Sequence, residues 1–131
     1  MLKKLVFCGA IAAGLCSTTA ALAQQGEPLK RTELQRIDYP GDKMATLLML
    51  IEIAPNYLIP RHTHPGAEVG YVLEGTVEFD IAGQPVRVFK QGDTYRIPVT
   101  AAHTAKAGAT GAKLIGTFVV EKDKPIASPA P

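Results

Sequence analysis

Three histidines and one glutamate carry the densest chemistry in this sequence. His62-Thr63-His64 sets two imidazoles two residues apart, which on an extended strand puts both rings on the same face. Glu68 follows across Pro65-Gly66-Ala67, a turn able to bring its carboxylate back beside the rings. His103 is distant along the chain and has to arrive from a neighbouring strand. Three neutral imidazoles and one carboxylate suit a single divalent transition metal ion such as Fe, Mn, Ni, Cu or Zn, and leave the centre net positive. On a six-coordinate ion they would leave room for water, dioxygen or a chelating substrate. Taken alone, an HxH pair is more often two solvated strand residues, with the glutamate capping a turn. The surrounding spacing therefore decides.

Other candidates are weaker. Arg61 alternates away from His62 and is expected on the outer surface. One of Tyr95 and Arg96 faces the interior, and alternation does not say which. Tyr71 reads as packing. With the histidines assigned to a metal, no Ser/His/Asp arrangement is left for nucleophilic catalysis. No glycine-rich phosphate loop precedes a helix. Catalytic residues as such are not identified.

The elements that must position these residues read as β almost throughout. Residues 24–30 form a polar lead-in with Gly26 and Pro28. Residues 32–38 read as a strand, although Leu34 and Ile37 would also suit a helical turn. Tyr39-Pro40-Gly41-Asp42 is a turn. Residues 46–54 are a strong strand with Leu47, Met49, Ile51 and Ile53 on one face, and Leu48 and Leu50 point to cover on the other. Strands are expected at 69–73 and 76–81, separated by a tight turn at Glu74-Gly75. Further strands follow at 86–90 and 94–97 and around His103. After a loop at 107–111, residues 114–121 form the last strand. Short strands punctuated by Gly, Pro, Asp and Asn predict a closed or sandwiched all-β fold. That places one barrel domain at residues 31–121 and a Pro-containing flexible tail at 122–131.

The run His62-Thr63-His64-Pro65-Gly66-Ala67-Glu68, continuing to Gly75, resembles the first motif of the cupin superfamily, HxHxxxExxxxxxG. Gly92-Asp93-Thr94-Tyr95-Arg96-Ile97-Pro98 followed by His103 is similar to the second. The likeness is greatest to small exported single-domain bacterial cupins of the quercetin dioxygenase-like group. It implies a jelly-roll β-barrel with His62, His64, Glu68 and His103 as metal ligands. It further implies a metal-dependent oxygenase acting on a small enolisable or phenolic molecule, or a non-catalytic small-molecule or metal-binding protein on the same barrel. A homodimer is the expected assembly. The chain departs from the pattern at three glycine or asparagine positions. Asn56 stands where a Gly usually precedes the first His, Thr100 replaces a Gly before His103, and Ala107 replaces an Asn. Asn tolerates left-handed backbone better than other non-Gly residues.

Composition bounds the rest. The chain has 131 residues, 14 Lys+Arg, 12 Asp+Glu and 2 Cys, with 20% charged and 47% hydrophobic residues, which is an ordinary globular balance for one domain. Lys3 and Lys4, an apolar run over residues 5–15, and the small-x-small sequence Ala21-Leu22-Ala23 read as a secretory signal peptide cleaved after Ala23. The apolar run is short for a membrane span, which takes about 20 residues. Leu15 before Cys16 argues against a lipoprotein site. Cleavage would remove Cys8, Cys16, Lys3 and Lys4, leaving a cysteine-free protein with balanced charge in the periplasm or outside the cell. Such a protein has no basic surface for nucleic acid and no polybasic membrane patch, so a small molecule is the expected partner class.

Overall fold

The computed structural model describes residues 26–131; the expected signal peptide lies outside the described residues. Eight antiparallel strands make up the fold, and the described residues contain no helix. They are β1 (Leu29–Ile37), β2 (Met44–Ile53), β3 (Leu58–Thr63), β4 (Gly66–Ile81), β5 (Arg87–Lys90), β6 (Thr94–Ile97), β7 (His103–Glu121) and β8 (Ser128–Pro129). The order β1-β2-β7-β3-β8 forms one path, and β4 joins it along β7 while also pairing with β5 and β6. Every strand from β2 to β7 sends side chains into a single apolar core, so the sheet curls around one interior as a jelly-roll barrel.

The expected inward face of β2 is the observed one. Leu47, Met49, Ile51 and Ile53 are buried, whereas Leu48 and Leu50 are half-buried. On β4, Val77, Phe79 and Ile81 point inward and Glu78 outward, as alternation predicts. β6 has the expected bounds, and β1 starts earlier, within the stretch read as lead-in.

Four expectations change. The turn expected at Pro65-Gly66-Ala67 is confined to a bend at Pro65, because Gly66 and Ala67 already lie in β4. Glu74-Gly75 does not separate two strands, because β4 runs straight through it with register shifts against β7 between Val72 and Glu74 and between Gly75 and Val77. Gly75 has a φ of 71°, and any Cβ there would collide with the carbonyl of Gly111, so this position accepts only Gly. Likewise, residues 107–111 are not a loop between strands but lie within β7. The tail at 122–131 is also more than a loose end. Ser128 pairs with Thr63 and Pro129 with His62, and the Ala130 N–H donates to the Arg61 carbonyl at 3.1 Å.

Candidate metal centre

β3 carries His62, and His64 lies just beyond its end, two residues on and on the same face. His103 opens β7 and pairs directly with His62 across the ladder. Glu68 sits on β4 between Phe118 of β7 and Ile97 of β6. Three segments, β3 with its continuation, β4 and β7, thus deliver the four side chains to one point inside the barrel. All four are buried, from 7% exposed for His62 to 1% for His103.

The three imidazoles form a cluster. Ring centroids are 4.2 Å apart for His62 and His103, 4.9 Å for His62 and His64, and 5.1 Å for His64 and His103. One nitrogen from each ring lies within 4.8 Å of the others. The other nitrogens fix the tautomers. His62 Nδ1 donates to the Pro60 carbonyl at 2.7 Å, His103 Nδ1 to the Ala101 carbonyl at 2.9 Å, and His64 Nδ1 to the Ile126 carbonyl. A carbonyl only accepts, so each Nδ1 carries the proton and each Nε2 keeps its lone pair. This backbone tether is the arrangement that orients metal-ligating histidines. Burial pushes His62 down to about 4, against the Pro60 bond, and lowers His103 for the same leading reason. Both rings are therefore neutral at neutral pH, the form that donates to a metal.

The chemistry of the donors fits an ion. Glu68 Oε2 lies 3.2 Å from His64 Nε2, so two lone-pair-bearing atoms face each other in a buried place. A shared cation relieves that contact. Oε1 of Glu68 accepts a hydrogen bond from the Tyr95 hydroxyl at 2.7 Å. Gly70 makes this bond possible, because a Cβ there would run into the Tyr95 ring lying across it. Burial first, and then Glu68, raise Tyr95 well above its ordinary value, so the phenol stays a donor.

The partly open space beside the rings has an inner volume of about 20 Å³, lined by the four polar side chains, Arg31 and apolar residues including Ile51, Phe79 and Phe118. That is room for roughly one ion or water molecule. Phe118 packs edge-on to His64 with centroids 5.0 Å apart and closes one wall.

The structure therefore brings together all four residues singled out by their spacing. Of Tyr95 and Arg96, Tyr95 is the inward one and Arg96 is exposed. Arg61 is half-buried and faces Asp80 at 3.7 Å. Tyr71 is exposed. Arg31 was not among the candidates. Its only signal was alternation with Leu29 on a strand of unknown register.

The sequence profile of the cupin domain matches residues 49–120, more than half of the chain. No curated protein sequence matches it. Among solved structures it is similar to an RmlC-like cupin from Shewanella frigidimarina, with 26% identity, a TM-score of 0.59 and coverage of 76% of this chain and 82% of that one. It is also similar to KdgF from a Halomonas species, with 22% identity, a TM-score of 0.61 and coverage of 76% and 88%. By its sequence profile, its barrel and its inward histidines, the chain belongs to the cupin family.

Proposed function

We propose that this protein is an exported, homodimeric cupin that holds one divalent transition metal ion on His62, His64, Glu68 and His103, and acts on a small enolisable or phenolic molecule as a metal-dependent oxygenase. The observation that carries the reading is the tautomer pattern. Three buried imidazoles each give their Nδ1 proton to a backbone carbonyl, which turns three Nε2 lone pairs toward one small cavity.

A bound ion would supply Lewis acidity and a template for substrate oxygen atoms. The chain's own residues do the rest. Glu68 lowers the net charge of the site, and Tyr95 holds its carboxylate in place through Oε1. Phe118, Phe79 and Ile51 keep water out. The small inner volume favours a second reading, in which the barrel holds the ion without turnover, because about 20 Å³ is filled by the ion itself.

Elemental analysis of protein taken from its native compartment, followed by oxygen uptake with a flavonol and with enolisable acids, tests both. One equivalent of metal with turnover supports the oxygenase. One equivalent without turnover supports the binding protein. Absence of stoichiometric metal overturns both.

A further inference from the structure

Arg31 is placed where a charge is costly. The β1–β2 register sets it directly opposite Ile51, so it shares the face on which Ile51 is buried. It lines the cavity that His62, His64, Glu68 and His103 line. Lys30, Arg36, Arg61, Lys90, Lys113, Lys122 and Lys124 each have a carboxylate within 4 Å. Arg31 has no such partner among the described residues. Lys43, Arg87, Arg96 and Lys106 share that lack but are exposed, whereas Arg31 is half-buried. Desolvation lowers it, with Glu68 and Tyr57 acting in the opposite direction. A half-buried guanidinium without a carboxylate partner has its fork of donors available for a bidentate anion.

Resting on the metal-site reading above, we propose that Arg31 determines specificity, selecting small carboxylates, of which 2-oxo acids are the simplest enolisable kind, at the three-histidine centre. The guanidinium takes the carboxylate, and the enolisable carbonyl is left facing the imidazole cluster. With the ion filling the inner volume, the acid enters from the open side of the cavity, and the close walls restrict it to a few heavy atoms.

The test is calorimetric titration of wild type, Arg31→Gln and Arg31→Lys with pyruvate and with pyruvamide, its neutral counterpart, alongside metal content and melting temperature. Wild type is expected to bind pyruvate about 10-fold or more tightly than pyruvamide, the size of one charge-assisted hydrogen-bonded pair. In Arg31→Gln the preference disappears while pyruvamide binding, metal content and melting temperature stay as in wild type. Arg31→Lys retains part of the preference. No preference in wild type overturns the proposal. So does a preference kept by Arg31→Gln, which would leave Arg31 as an inward charge that protects an edge strand from pairing. A failed metal reading shows separately, as protein without stoichiometric metal, and the charge preference is measured in either case.

Discussion

At the scale of single residues, ligand identity and ligand orientation are separable. His62→Ala or His103→Ala removes a donor nitrogen and is expected to abolish stoichiometric metal while the circular dichroism spectrum of the barrel persists; full metal content in both variants would contradict the assignment. Tyr95→Phe removes no ligand. It takes the hydroxyl from a buried carboxylate oxygen, so metal affinity should fall about 10–100-fold. The metal-stripped variant should lose about 1.5–3 kcal/mol in urea denaturation. Unchanged affinity would show that Glu68 needs no such support. His62 and His64 were legible because HxH spacing and strand alternation share a period of two, whereas Glu68 and His103 were singled out by the resemblance to the two cupin motifs. Tyr95 was not, since its direction follows from the β4–β6 pairing of Gly70 with Tyr95, a long-range fact. Arg31 was hidden for the same reason, as its neighbour Ile51 lies on another strand.

At the scale of elements, two positions where the family usually has Gly behave differently. Asn56 and Thr100 have φ of 58° and 56°. The tolerance expected of Asn56 is thus used, whereas the β-branched Thr100 is poorly suited to that conformation. Left-handed backbone costs an ordinary residue about 1–2 kcal/mol, and the extra unfolded-state freedom of Gly offsets about 0.5–1 of that. Thr100→Gly should therefore stabilise by about 0.5–1 kcal/mol, and Asn56→Gly by less, as read from urea midpoints at constant slope. The tail is a second case. Deleting residues 125–131 removes the carbonyl that tethers His64 and should weaken metal binding about 10–100-fold in chelator competition while the barrel still melts cooperatively. Sequence signals misread both the tail and the split strands. A two-residue strand such as β8 has no periodicity to detect, and a Gly with positive φ marks a bulge as readily as a turn.

At the scale of the molecule, the barrel and the proposed ion stabilise each other. Binding that is confined to the folded state adds about 2.7 kcal/mol at a hundredfold excess over Kd. For a domain of this size, a chelator should then lower the melting temperature by roughly 10–20 °C. The shift should vanish in His103→Ala. The overall β architecture was readable from alternation and turn residues, but its closure around four convergent side chains came from pairings among β3, β4 and β7 that no local pattern contains. The docking of β8 on β3 has a practical consequence for anyone handling the protein. A polyhistidine handle fused after Pro131 would hang from the strand whose neighbour Ile126 tethers His64. It would compete for the ion and disturb the centre together, and a handle ahead of Ala23 would be lost if the leader is removed. A cleavable handle inserted just after the leader avoids both problems, and metal contents measured with a fused C-terminal handle would describe the handle as much as the barrel.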